Sequence, residues 1–447
     1  MKIIIFCFVL FCSSLVVRGQ VPFLSSPSTG YEERIREHID TLTVFDTHEH
    51  LIDPEMLKMA GFLDFAMLLL ENSYDDLISA GMPDTLFNRI FSSGLPPVEK
   101  WKTIEPYWKG AFNTANNRIL LRAIRDLYGI SEFDSSSVIS LSSVMKNLYG
   151  DKWFDKVIKS KCKIDFVIID GPKLSTKREY VRYAQRFDPW LSVRTKFAID
   201  SLAILQVDPI YTLEGFVKSM SSVFERGLKE EMAVIKIDIA YDRPISFDKV
   251  TTETARKVFR TLINGNEDLK ISYRDAKPLQ DYMVFQLLSL AQKHRIPVAF
   301  HTGFQAGNGN IISNSNPVLL SNVFMEFPDV NFVLFHGAYP YGGELSALAK
   351  NFRNVFIDMN WIYSISPSYA ADYLNEWLET VPANKIMAFG GDQRMIEMTY
   401  GNVMLAKKVI NEVLAAKVKD GYFTESEAIK VARLILHDNG FRFYNIR

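Results

Sequence analysis

Seven histidines are spread over 447 residues, and four of them fall where chemistry could use them. His48 and His50 stand in Phe45-Asp46-Thr47-His48-Glu49-His50-Leu51, His301 in Val298-Ala299-Phe300-His301-Thr302-Gly303, and His336 in Val333-Leu334-Phe335-His336-Gly337. Each closes a short apolar run that reads as a strand, and another such run ends in Ala388-Phe389-Gly390-Gly391-Asp392. Residues i and i+2 of an extended segment share a face, so His48 and His50 aim the same way and Glu49 points away from them as a structural residue. Three neutral imidazoles and a carboxylate suit a borderline divalent cation, zinc being the expected one, with one position left for water. Zinc lowers the ionisation of its water from ~15.7 to near 7, which yields a hydroxide nucleophile at neutral pH. A single histidine at a strand end is better explained by packing; an H-x-H pair joined by two more histidines and an aspartate is not.

These residues need a frame that gathers strand ends. The strand candidates are Leu42–Asp46, Ile164–Ile169, Leu191–Ile199, Ala233–Ile239, Pro297–His301, Asn331–His336, Val355–Asp358 and Ile386–Phe389. They are nearly continuous apolar runs, as parallel strands buried on both faces require, and most are separated by helix-length segments. Eight of them predict an α/β chain folded as a (β/α)8 TIM-like barrel, whose chemistry sits at the carboxyl ends of its strands. An open doubly wound sheet is the second choice, disfavoured because no Gly-rich phosphate loop follows the first strand.

Two connections exceed a simple crossover. A helical insertion of about residues 52–160 follows the first strand, with periodicity at Pro97–Tyr128 and Ser135–Leu148; a second follows the fourth strand, at Thr251–Ile263 and Lys277–His294. Both are expected to cap the mouth and shape a substrate pocket, with a dimerisation surface, and so a homo-oligomer, as the other use of them. The opening Met1–Gln20, a lysine and then an apolar run to Val17 with Val17 and Gly19 before the exit, has the pattern of a signal peptide over residues 1–19. The run is short of the ~20 residues of a membrane span. Residues 20–447 then form the barrel, exported to a periplasmic or extracellular space. They retain one cysteine, Cys162, so the core alone holds them. With 51 basic and 52 acidic residues, no long-range field gathers nucleic acid or an anionic membrane.

H-x-H after the first strand, His after the fifth, His after the sixth and Asp after the eighth is an order that resembles the amidohydrolase superfamily. The stretch from His301 to Asp392 is most similar to its amidohydrolase-related (type 2) branch, through His301-Thr302-Gly303, Phe327-Pro328-Asp329, Phe335-His336-Gly337, Asn354 to Asp358, and Lys385-Ile386 to Gly391-Asp392. The insertion after His50, the Trp101–Ile130 region and the ending Ile435–Tyr444 more weakly resemble uronate isomerase, a divergent member that moves protons at a sugar acid and hydrolyses nothing. The resemblance implies a deformed barrel with a metal centre. His48, His50, His301 and Asp392 match the metal-binding positions of single-metal members. His336 matches the position that acts on the bound water or the substrate carbonyl, and Asp392 also serves as proton acceptor, so His336 and Asp392 are the expected catalytic pair. Some members carry a carboxylated lysine on the fourth strand, bridging two metals; at Lys236 the other reading is a buried salt bridge with Asp238, and one metal per chain is expected.

Position alone adds Lys236, Trp361 and Arg394 as substrate-binding candidates, Arg394 as a fork of donors for a carboxylate. Gln305, the Gly307–Asn310 turn, Tyr339 and Tyr341 follow strands five and six, and Asp358 is placed to orient a ligand. The expected function is a metal-dependent hydrolase whose activated water attacks the carbonyl of a small amide, ester or lactone. The alternative is a uronate-isomerase-like isomerase, or a decarboxylase, on a sugar acid or other carboxylate. A barrel kept only to bind a ligand is the non-enzyme reading, disfavoured by the full acid/base complement.

Overall fold

The computed structural model describes residues 30–59, 63–70, 72–92, 94–204, 209–266 and 269–446; the expected signal peptide lies outside them. Eight parallel strands follow one another in spatial order: β1 (Val44–Glu49), β2 (Ile164–Ile169), β3 (Val181–Arg186), β4 (Val234–Ile237), β5 (Val298–Phe300), β6 (Phe332–Leu334), β7 (Val355–Asp358) and β8 (Ile386–Met387). The ring is completed by single backbone bonds between β1 and the chain just beyond β8. Thr47 N–H donates to Phe389 O, Asp392 N–H to His48 O, His50 N–H to Gln393 O and Ile52 N–H to Arg394 O. The fold is thus the expected (β/α)8 barrel, with long helical excursions after β1 and β4.

The barrel interior follows the pleat. Phe45, Phe166, Ile168, Val234, Ala299, Val333 and Met387 pack together inside, while their strand neighbours Val298, Phe300, Phe332 and Leu334 pack outward on the helices. Phe443 and Tyr444 from the carboxyl terminus join this inner cluster and plug the barrel at the amino-terminal ends of β5 and β6. Two residues on from Val234 and Ala299, alternation carries Lys236 and His301 to the opposite, open end, where both line a cavity.

One strand expectation is corrected. Leu191–Ile199 is not the third strand: its residues belong to the helices Asp188–Leu191 and Lys196–Ile204 and the turn between them. Pro189 sits in the first turn of the former, where its fixed φ and missing N–H favour a helix start. The strand is VRYAQR, polar and only half-buried, so a search for apolar runs passes over it.

The expectation that both insertions cap the mouth holds for only one of them. The helix Asn72–Ser79 of the first reaches the cavity through Asn72 and bonds the β5 loop, Asp75 accepting the Gly307 N–H at 2.7 Å. The second, Thr252–Ile263 and Tyr273–His294, packs on the outer wall against Leu213–Lys229; only Tyr241, in the turn before it, lines the cavity. The long helix Ile396–Lys419 ties the first insertion to the barrel. Its Gly401 lies so close to Ile119 that a Cβ there would come within 2.5 Å, and Glu397 accepts bonds from Tyr128 (2.5 Å) and Trp153 Nε1 (3.1 Å).

Candidate metal centre

At the mouth, β1 and the segment after β8 bring three donors together. His48 Nε2 lies 3.3 Å from His50 Nε2, and Asp392 Oδ1 lies 3.5 Å from the first and 3.2 Å from the second. Among the described residues these three form the one group of histidine, cysteine or acidic side chains placed to share a metal ion. The hydrogen bonds test that fit. Asp170 O can only accept, so at 2.6 Å it accepts the hydrogen bond of His50 Nδ1–H, which turns Nε2 toward the Asp392 carboxylate. Two imidazole nitrogens and a carboxylate oxygen converging within 3.5 Å of one another are a donor set that suits a divalent cation. Burial, then the nearby Lys236 charge, pushes His48 well below the ordinary histidine range, which keeps it a neutral ligand. Burial would raise Asp392, but His48, His50 and His336 hold it well below the carboxylate range. The residues present fit a divalent cation.

His301 stands apart from the three-donor group. Its Nε2 donates to Phe304 O at 2.8 Å, which makes Nδ1 an acceptor, and His336 Nε2 donates to that atom at 3.1 Å. This chain fixes the His336 tautomer. Its Nδ1 is then a lone pair, fully buried, with no hydrogen-bond partner among the described residues, facing Asp392 Oδ2 at 3.6 Å. Burial, then His301, drives His336 well below the ordinary range, and burial takes His301 down to about 4. The structure therefore brings His48, His50 and Asp392 together, sets His336 against the second Asp392 oxygen, and holds His301 one bond further back.

Opposite lies a network of fixed charges. Arg186 forks Asp170 with bonds of 2.7–2.9 Å and reaches Asp238 Oδ2 at 2.7 Å, while Lys236 Nζ meets Asp238 Oδ1 at 3.0 Å. Lys236 thus makes the salt bridge that its spacing from Asp238 offered. Burial works against the Asp238 charge, but Lys236, Arg186 and His301 hold the group far below the carboxylate range. The cavity between the two sides, about 270 Å³, is lined by residues that include Arg186, Lys236, Tyr241, Trp361 and Arg394. The Trp361 ring packs at 5.1 Å from His336 and 5.5 Å from Phe304. The other positional candidates, Gln305, Tyr339 and Tyr341, are not among its lining residues.

Behind the donors is a layer of acids. Asp358 accepts from Thr47 Oγ1 and from Asn360 N–H, and burial lifts it to about 7. Burial likewise raises Asp46 to about 7 and Glu49, with the Asp46 charge beside it, well above its ordinary range. Asp170 and Arg186 escaped sequence reading. Asp170 follows β2 directly, so its place at a strand end was the available signal; Arg186 ends the strand that apolar runs conceal.

Residues 269–445 match the amidohydrolase family Amidohydro_2. Over 246 residues the chain is 26% identical to protein fluG of Emericella nidulans, a match covering 52% of this chain and 28% of that protein, so the chain spans little more than a quarter of that relative. Among solved structures, glucuronate isomerase from Caulobacter crescentus aligns over 95% of this chain and 96% of its own with a TM-score of 0.77 at 16% identity. Uronate isomerase from Thermotoga maritima aligns over 93% and 98% with 0.73 at 14% identity. A Lactobacillus casei protein described as a metal-dependent hydrolase aligns over 92% and 97% with 0.64 at 17% identity. The amidohydrolase family match thus covers the carboxyl-terminal residues 269–445, and the barrel as a whole shares its fold with the uronate isomerases.

Proposed function

We propose that the chain is a metal-dependent hydrolase acting on a small amide, ester or lactone. The observation that carries this reading is the His336 Nδ1 lone pair, buried, neutral and 3.6 Å from Asp392, beside the three converging donors. A divalent cation held by His48, His50 and Asp392, zinc in our reading and one per chain, would supply Lewis acidity at the carbonyl end of the cavity. His336 takes the proton of an attacking water on Nδ1 and returns it to the leaving group, with His301 and the Phe304 carbonyl holding the ring in the tautomer that can do so. Trp361 packs against His336 and keeps bulk water from it. Arg394, in the same cavity wall, offers its fork to a substrate carboxylate. The same reading has the chain exported after loss of residues 1–19.

A second reading is isomerisation of a sugar acid. It is favoured by the whole-length fold likeness to uronate isomerases and by a cavity that gathers Arg186, Lys236 and Arg394. There the same Nδ1 would move a carbon-bound proton. The two separate in heavy-oxygen water, with N-acyl compounds, esters, lactones and sugar acids offered to the metal-loaded protein. Hydrolysis puts one solvent oxygen into the product. A turned-over sugar acid that exchanges carbon-bound hydrogen and takes up no solvent oxygen would overturn the hydrolase reading.

A further inference from the structure

Glu49 lies between two of the converging donors, on the opposite face of β1, and is fully buried. Its Oε2 accepts the backbone N–H of Gln393 at 2.7 Å. Three residues earlier on the same strand, Asp46 Oδ1 accepts the N–H of Gly391 at 3.2 Å and that of His48 at 3.3 Å. The N–H groups of Gly391 and Gln393, the residues flanking Asp392, are thus held from behind by two neighbouring carboxyls. The grip is tight: a Cβ on Gly391 would stand 1.9 Å from Glu49 Oε1. Asp392 itself has φ of 54°, in the left-handed region that is uncommon for a non-glycine residue though Asp enters it more readily than most. Freed of its clamp, that backbone would relax and swing the carboxylate away from the imidazoles.

We propose that Glu49 is a positioning residue for the metal centre, gripping the Gln393 N–H so that Asp392 stays aimed at His48 and His50, and thereby setting the affinity for the divalent cation. The inference rests on the reading of those three side chains as a metal centre. Outer partners of metal ligands typically govern affinity by about 10- to 100-fold. Removing the carboxyl oxygen that accepts a buried N–H leaves that N–H unpaired, which makes the bond a costly one to lose.

The test is titration of the metal-free protein with Co2+, following the visible absorption of the bound ion. Glu49→Ala should weaken binding about 10- to 100-fold and alter the spectrum. Glu49→Gln, whose amide oxygen accepts the same N–H and whose NH2 meets Asp46, should stay within roughly three-fold of wild type, well short of that loss. Gly391→Ala should imitate Glu49→Ala by pushing the carboxyl aside, and the double variant should be no worse than either single one, since both remove one contact. Unchanged affinity in Glu49→Ala, or Glu49→Gln as weak as Glu49→Ala, overturns the inference. Should Glu49→Ala not fold, Gly391→Ala decides in its place, wild-type affinity there overturning the inference. A wild-type chain that binds no Co2+ sinks the metal-centre reading and this inference with it, whereas the variant results sink the inference alone.

Discussion

The two sides of the barrel mouth handle charge in opposite ways. Across β2, β3 and β4, cations and carboxylates complete one another: Arg186 serves Asp170 and Asp238, and Lys236 serves Asp238. Across β1, β6 and β8, imidazoles gather on one carboxylate. His50 Nε2 and His336 Nδ1 face the two oxygens of Asp392, the latter as a buried lone pair, and burial holds His48 and His336 well below the ordinary histidine range. The first side is electrically finished as it stands. On the second, the buried His336 Nδ1 lone pair faces Asp392 with no donor between them, and a resident cation would complete that arrangement.

The largest effect should come from removing the shared carboxylate. Asp392→Asn should lose metal and turnover together, on the order of 10⁴-fold in rate, as metal analysis beside steady-state kinetics would show. His336→Asn should keep the metal and lower turnover roughly 10³-fold; a metal-free variant there would break the division between donors and base.

Behind the unfinished side, Asp358 should destabilise the metal-free chain at neutral pH. Its carboxyl, raised by burial to about 7, keeps its proton in the folded state after the unfolded chain has released its own near 4. Wild-type stability therefore falls as pH rises from about 4 to 7, and Asp358→Asn removes that loss. Urea unfolding should show the variant gaining about 3–4 kcal/mol relative to wild type between pH 4 and pH 8. A pH-independent difference would contradict the buried, protonated acid.

The finished side should respond least. Arg186→Met strips the cation from two buried carboxylates, but its own side chain is 41% exposed, and water screens part of the cost. Urea unfolding should show a loss of about 2–3 kcal/mol, with Co2+ affinity unchanged. A large drop in metal affinity would mean that the two sides are not separable.

Much of this contrast is written in local sequence. His48 and His50 can be placed because an i, i+2 pair at the end of an apolar run leaves little freedom for where the rings go. Asp392 and His336 follow from their strands in the same way. Glu49 is correctly turned away from the mouth by the same alternation, but its bond to Gln393 depends on β1 meeting the chain beyond β8, a contact across more than 340 residues. His301 shows another limit. Its strand and its end position are legible, but whether its ring joins the donors is decided by the Phe304 carbonyl three residues on, a matter of loop geometry. Arg186 is lost for a third reason: β3 is polar and half-buried, so its signal is weaker than that of the apolar helices that follow it.

The barrel has a seam, and its stitching has a consequence for motion. Among the described residues the last side of the ring is joined by single backbone bonds of Thr47, His48, His50 and Ile52 with Phe389, Asp392, Gln393 and Arg394, and by the carboxyls of Asp46 and Glu49 on Gly391 and Gln393. The stretches that sew the hoop shut are those that carry the donors. Any breathing that parts the first strand from the eighth would scatter those donors, and a cation held by His48, His50 and Asp392 would fasten the join. Loading the centre would then also fasten the hoop.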